Sequence, residues 1–446
     1  MLIGIIGMVA FNLVDTFFVG RLGALELAAM SFTFPVVLVI ISISQGLGVG
    51  ASSVLSRAIG EGDQHKVKRI TTDSLVLSFS IVVVFVIAGM LTIEPLFRLL
   101  GADDNILPLI KDYMRIWYIG VPFVIIPMVG NSAIRATGDT TTPSIIMVVA
   151  ICVNLVLDPL LIFGIGPFPR WELAGAAVAT VIARAVTMVL SLFILGRRER
   201  MLTTEVPSLK EILESWKKIL YIGLPAAGTY IIIPLSMGVI TRLVASFGPE
   251  SVAGFGVATR IETFALTQII ALSVVLIPFI GQNMGAGKYE RIRKGLKYSQ
   301  LFALIWGLVL FLIFIFTARQ FAGVFNKNSS VIESTALYLL IVSVSYGAQG
   351  VFQLVSSAFN AINKPFPAAI LALVRMFGLY IPLALLGSRI FGLRGIFAAA
   401  SAANLVIGAV SFIWIGKMLK SMSLNVNHKE SLKIVSAQEL KTVETN

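Results

Sequence analysis

The sequence predicts an all-α polytopic membrane protein with twelve transmembrane helices in two pseudo-symmetric six-helix lobes. Composition, run length and an internal repeat carry this reading. The chain of 446 residues is 57% hydrophobic and only 13% charged, with a mean hydropathy of +0.92. Soluble domains carry about 25% charged residues, so a water-exposed surface cannot be covered. The apolar residues fall in long uncharged runs, such as 74–93 and 301–316, near the roughly 20 residues that cross a ~30 Å hydrocarbon core as a helix. Strands of a membrane barrel are shorter and alternate apolar with polar; here whole segments are apolar on every face.

The repeat appears at a constant offset of 225 residues. Gly20-Arg21-Leu22-Gly23-Ala24-Leu25-Glu26-Leu27-Ala28 lines up with Ala245-Ser246-Phe247-Gly248-Pro249-Glu250-Ser251-Val252-Ala253. Gly60-Glu61-Gly62-Asp63 meets Gly285-Ala286-Gly287-Lys288, and Tyr113 meets Tyr338. Six spans per half is an even number, so both halves enter the bilayer from the same side. That is a parallel repeat about an axis along the membrane normal, a recurrent plan of secondary transporters.

Spans are expected near 1–21, 27–55, 70–93, 106–131, 143–165 and 174–196, then near 219–246, 252–282, 298–318, 332–358, 366–387 and 394–416. Basic residues sort by alternate loops. One set holds Arg57, Lys66, Lys68 and Arg69, then Arg135, then Arg197, Arg198, Arg200 and Lys210. It continues with Lys288, Arg291, Arg293, Lys294 and Lys297, then Lys364, Lys417 and Lys420. The intervening loops hold fewer, such as Arg21, Arg98, Arg170, Lys327 and Arg394. Cytoplasmic loops carry the excess of Lys and Arg, which places both termini and the central linker in the cytoplasm of a multi-pass cell-membrane protein. The organisation expected is a first lobe over 1–196, a linker over 197–218, a second lobe over 219–417 and a loosely ordered polar tail over 418–446. Within the linker, Ser208 and Glu211 fit a capping box. Ile212, Leu213, Trp216 and Ile219 then share one face, as in a surface helix on the leaflet.

Several classes are excluded. The net charge of +12 sits in short loops between apolar runs, so it orients the chain in the lipid bilayer and does not mark nucleic acid. Cys152 is alone in an apolar run, and His65 and His428 lie in polar segments. No disulfide framework, metal cluster or intramembrane histidine relay follows. No Walker loop or nucleophile elbow stands in its required context, so neither a hydrolase nor an ATPase subunit is implied, and no cofactor is expected. The first run lacks a small-residue cleavage site.

Charges inside spans cost several kcal/mol unless paired or hydrated, so Asp15, Asp158, Arg184, Arg260, Glu262 and Arg375 each need a reason. Asp15 and Asp158 lie at matching depth, each six residues inside the outer end of its span, roughly 9 Å at ~1.5 Å per residue. Asn12 shares a helix face with Asp15, and Asn154 with Asp158. Tyr113 and Thr180 bring hydroxyls to the same level from the fourth and sixth spans. Close carboxylates can hold a proton near neutral pH, and the same oxygens are hard ligands for Na⁺. The functional reading is a coupling site for H⁺ or Na⁺; the structural one is that each Asp bonds a helix end or pairs with Arg184. In the second lobe Arg260, Glu262 and Arg375 read as structural, and a cross-helix Glu262–Arg375 pair is one option. Tyr346, Gln349 and Gln353 form a polar stripe that either lines a substrate cavity, to which Asn12 would also belong, or packs against other helices. Gly46, Gly48 and Gly50 form a small-residue face for close helix packing.

The run Asn12-Leu13-Val14-Asp15-Thr16-Phe17-Phe18-Val19-Gly20-Arg21-Leu22-Gly23 resembles the first-span signature of the multidrug and toxic compound extrusion (MATE) family. Gly281-Gln282-Asn283-Met284-Gly285-Ala286-Gly287-Lys288 resembles its second-lobe signature. The segments 113–116, 133–139 and 154–159 match its pattern between them. The resemblance implies two six-helix lobes forming a V and export of amphipathic or cationic drugs driven by inward H⁺ or Na⁺ flow. Span 7 has Thr229 and Tyr230 but no acid, so the resemblance is to the DinF-related branch. There Asp15, Asn154, Asp158 and Thr180 would form the cation site, Na⁺ included, with Tyr113 nearby. Phe11 and Met8 stand where relatives carry a Tyr and a polar residue. The proline that relatives place about fifteen residues before this Asp would fall just ahead of Met1, as Pro225 does in the repeat, so the first span looks truncated.

The reading is thus an antiporter exporting amphipathic or cationic small molecules. The alternative within the wider superfamily is a lipid or lipid-linked oligosaccharide flippase, which would need more spans and a strongly cationic cavity. An intramembrane enzyme lacks its nucleophile–base constellation, and a passive pore would conduct without a counter-ion.

Overall fold

The computed structural model describes Gly4, Phe18 and residues 22–444, with side chains as far as Met422. In chain order the helices are α1 (Ala24–Glu61), α2 (Gln64–Leu99), α3 (Leu107–Gly120), α4 (Pro122–Ala136), α5 (Thr141–Phe163) and α6 (Glu172–Phe193), which ends in a π turn, Ile194–Arg198. There follow α7 (Leu209–Ala245), α8 (Pro249–Ala265), α9 (Thr267–Gly285), α10 (Tyr289–Phe325), α11 (Ser329–Val342), α12 (Tyr346–Ala361), α13 (Pro365–Leu373), α14 (Ile381–Phe391) and α15 (Leu393–Glu444). Among the described residues eleven segments are long and apolar enough to cross a bilayer. Their outer faces are apolar: Leu91 is 76% and Phe316 75% exposed, which suits lipid and not water.

The repeat read from the sequence is visible in the backbone. Gly62 ends α1 at φ 80°, its N–H bonding Ile59 O at 3.1 Å. Asp63 then caps α2 by accepting from Lys66 N at 2.9 Å. At the equivalent turn Gly287 has φ 70°, while Lys288 gives no side-chain cap. The left-handed glycine is the part of the turn that both lobes need. The lobes also break one span at matching places. Pro122 withdraws an N–H between α3 and α4. A 3₁₀ turn, Ser343–Ser345, separates α11 from α12 just ahead of Tyr346, the equivalent of Val121.

Each lobe has its own core, one running from Ala29 to Ile222 and the other from Ile240 to Ile415. α7 therefore straddles the division expected at residue 219. Ile219 and Ile222 pack in the first core, and Ile240 and Val244 in the second. The capping box of Ser208 and Glu211 is present, but the surface helix expected after it is not separate. Its residues are the first turns of α7, because no glycine or proline interrupts the chain between Ser208 and Gly223. Trp216 is half-buried, its Nε1 donating to Asp73 O at 3.1 Å. The tail expected to be loosely ordered continues α15 to Glu444; no helix breaker follows Gly416.

The lobes meet along α1. A Cβ on Gly46 would stand 2.4 Å from Gly223 O, and one on Gly50 2.4 Å from Ile219 O. At the Gly62 end, Cβ atoms on Gly60 and Gly285 would each stand 2.1 Å from backbone oxygens of Gln282 and Arg57. Backbone cannot yield as a side chain can, so substitution there must move whole helices. Gly285→Val is expected to part the lobes at this end. Pulsed spin-label distances between positions 61 and 364, both exposed, should lengthen; an unchanged distribution would show that the lobes are not held by this contact.

Candidate functional site

In the first lobe the structure brings together one pair of the expected residues. Asp158 is fully buried on α5, and Asn154, 1% exposed one turn earlier, donates its Nδ2 to Asp158 Oδ1 at 2.9 Å. Helical periodicity makes this pair, since residues four apart share a face. Pro159 follows directly and has no N–H, so Leu155 O lacks its helical donor beside the carboxylate. α6 packs on both α5 and α3. It carries Thr180, half-buried, and α3 carries Tyr113, 6% exposed. Asp15 and Asn12 lie outside the described residues. Of their span, Gly4 packs against Ser144 and Met147 near the start of α5, and the Phe18 ring meets Phe163 edge-on at its end, centroids 6.2 Å apart.

The helix bearing this pair is fastened at its start. Asp139 Oδ1 accepts from Thr141 N at 2.9 Å and Thr142 N at 3.0 Å, and its Oδ2 takes bonds from Thr142 Oγ1 and Arg198. Burial opposes ionisation, but these donors outweigh it and hold the carboxyl at about 2, below its ordinary 3.8. The native state thus favours the charged form. The stabilisation is complete above pH 3.8 and is lost as the pH falls through about 2. Asp139→Asn is expected to lower stability near neutral pH by about 1 kcal/mol and to remove this acid-dependent part, as thermal unfolding in detergent across acid pH will register.

In the second lobe the expected Glu262–Arg375 ion pair does not form. Glu262 accepts instead from Tyr338 O–H and from Gln349 Nε2, the latter at 3.0 Å. Arg375, in a π-helical turn (Val374–Tyr380), lies over the Phe352 ring, 5.2 Å from its centroid. Tyr346 is fully buried, edge-on to Phe314 at 6.3 Å. Tyr346 and Gln349 therefore turn into the lobe, and neither they nor Gln353 are among the residues of the central cavity wall.

That cavity, of about 240 Å³, lies between the lobes. Gln45 and Ser52 of α1, Met128 and Arg135 of α4, Met147 of α5, Arg184 of α6 and Tyr230 of α7 face Ile270 and Ile277 of α9 and Ser357 of α12. Among the described residues its lining has two arginines and no Asp or Glu. Arg135 is braced by Ser132, its Nη2 donating to Oγ at 2.6 Å. Hydropathy had set Arg135 in a loop; it stands in the last turn of α4. The signal that would have found it is the polar stripe Asn131, Ser132, Arg135 in an otherwise apolar span.

The lobes are joined at one end of the cavity. Arg57 donates to Ala361 O at 3.3 Å and Asn363 Oδ1 at 3.4 Å, and Gln282 Nε2 to Ala136 O at 2.7 Å. All three bonds lie at the end that carries the Gly62 and Gly287 turns.

The MatE family model matches residues 1–160 and 225–386. A protein of Shewanella oneidensis named "FAD transporter" is 42% identical, covering 92% of this chain and 91% of its own. The "Probable multidrug resistance protein YoeA" of Bacillus subtilis is 26% identical over 92% of this chain and 90% of its own. Among solved structures, the Vibrio cholerae MATE transporter VcmN in the bent form superimposes with a TM-score of 0.90 at 32% identity, covering 95% of each chain.

Proposed function

We propose a function from one premise: the chain belongs to the MatE family. It is a transporter and not an enzyme, built on the two-lobed architecture of MATE transporters. On that premise we read it as a secondary antiporter. It exports amphipathic aromatic molecules that bear negative charge, a flavin dinucleotide foremost, in exchange for H⁺ or Na⁺.

The observation that carries the substrate reading is the cavity wall. Arg135 and Arg184 line it, with no carboxylate among the described residues. Guanidinium groups match phosphate oxygens in geometry and charge. Tyr230, Met128 and Met147 offer the soft, flat surface that a planar ring system prefers. The name of the Shewanella relative supports the same class. The cationic drugs expected from the sequence would meet the Arg135 guanidinium there, so an anionic cargo is the better fit.

For coupling, Asp15 and Asp158 bind the ion with Asn154, Thr180 and Tyr113 around them. The described residues of the first span support this, since Gly4 and Phe18 touch the two ends of the helix that carries Asp158. The basic loops of Arg57, Lys66, Lys68 and Arg69, and of Lys288 and Arg291, fall at the joined end of the lobes. The positive-inside rule puts that end in the cytoplasm, so the conformation described opens outward. The test is export of FAD and of ethidium from proteoliposomes under separately imposed pH and Na⁺ gradients. FAD movement that follows one gradient supports the reading and identifies the ion. Gradient-driven movement of ethidium alone would return the substrate to the cationic class.

A further inference from the structure

We propose that Arg57 and Gln282 are a matched pair of gating residues, which lock the joined end of the lobes and are released when that end opens. The two stand 225 residues apart, the offset of the internal repeat, and so do their acceptors, Ala136 and Ala361. Arg57 of the first lobe donates to Ala361 O of the second at 3.3 Å, and Gln282 of the second donates to Ala136 O of the first at 2.7 Å. The repeat thus builds one bond twice, once in each direction across the boundary.

Both acceptors are the last residue of their helix, Ala136 of α4 and Ala361 of α12. Carbonyls of a last turn have no donor within the helix and stand at the negative end of its dipole. The turn beyond is also built twice. Gly138 N–H bonds Arg135 O at 2.9 Å, and Asn363 N–H bonds Asn360 O at 3.2 Å. Both residues are left-handed, with φ 101° and 63°. Asparagine is one of the few residues besides glycine that enter this region without great cost. Here it also supplies Arg57 with a second acceptor, Asn363 Oδ1 at 3.4 Å. Gly138 has no side chain to offer Gln282.

The donors flank the crossing of α1 and α9, where a Cβ on Gly281 would run into Ser56 Oγ. An arginine serving its own helix would pair with Glu61, one turn on; Glu61 takes Lys66 as its partner instead, and Arg57 reaches the other lobe. Parting the lobes here breaks all three crossing bonds together. Water can replace each of them, so each carries a modest net worth. Such bonds bias a two-state equilibrium without sealing it, as alternating access requires.

The inference needs the chain to be a transporter and rests on neither its cargo nor its ion. Ser357 lines the cavity one turn before Ala361, so a cysteine there reports which face is open. The chain's single cysteine is first removed as Cys152→Ser, and Ser357→Cys is added. A charged, membrane-impermeant maleimide is then applied to either face of vesicles holding the full chain. The parent should label from one face. Arg57→Ala and Gln282→Ala should each raise labelling from the opposite face by about fivefold or more, lower it from the first, and act more strongly together. Asn363→Gly copies the first lobe's turn without backbone strain and should give a smaller change, about twofold. The face from which the parent labels tests the orientation; the exchange of faces tests the lock. Labelling that keeps to the parent's face in both alanine variants would overturn the proposal. So would labelling that rises from both faces, because the bonds would then hold the fold and not a gate.

Discussion

Asp158→Asn is expected to leave a folded protein in the membrane whose export no longer responds to an ion gradient. The substitution changes almost no volume and keeps an oxygen to accept the Asn154 Nδ2 bond, now 2.9 Å long, so the packing of α5 should survive. What it removes is the charge and, on the proposed coupling role of Asp158, the differential affinity through which the ion would bias one state of the lobe over the other. A ligand can shift such an equilibrium only by that difference. Coupling energies between sites are typically about 1–3 kcal/mol, or roughly 5–150-fold. Gradient-driven efflux in proteoliposomes should therefore fall by at least about tenfold, while downhill flux of the same substrate persists. Coupled efflux at the wild-type rate would remove Asp158 from the ion site.

The Asn154–Asp158 pair was legible in the sequence because one helical turn makes it. So was the Gly62/Gly287 turn, because an offset of 225 residues and the conformation only glycine adopts freely point to the same place. The environment of Glu262 was not legible. Its partners Tyr338 and Gln349 stand 76 and 87 residues away, and a span's periodicity fixes a face without saying which neighbour covers it. The same limit explains why the sequence could not say whether the Tyr346–Gln349–Gln353 stripe lines a cavity or packs on other helices; Tyr346 and Gln349 pack inside the lobe. Arg135 was misplaced for another reason. Hydropathy cannot tell the last turn of a helix from the loop beyond it, yet one turn decides whether a guanidinium meets water or a substrate. The course of α7 escaped the reading too. The helix start at the capping box was read, but as a separate surface helix; it runs unbroken into the span that hydropathy starts near residue 219, and its first turns bring Trp216 against α2.

Arg135→Gln and Arg184→Gln are expected to separate charged from uncharged recognition in the cavity. Each arginine can give a phosphate a charge-assisted hydrogen bond worth roughly 1.5–3 kcal/mol, which corresponds to about a 10–100-fold change in affinity. Glutamine keeps much of the length and polarity and removes the charge, so a loss reports electrostatics more than packing. FAD should bind more weakly to each variant by at least about tenfold. Riboflavin, which has the ring system without the diphosphate, should change much less. Ethidium should bind as well or better once a like charge is gone. Arg135 should show the cleaner effect, because Ser132 already fixes its guanidinium and little rotamer entropy is left to lose on binding. Equilibrium binding by fluorescence in detergent measures all three ligands on one protein. Equal losses for FAD and riboflavin would mean that the arginines shape the wall and do not read the phosphates. No loss for either would leave the two cavity arginines without a part in choosing the cargo.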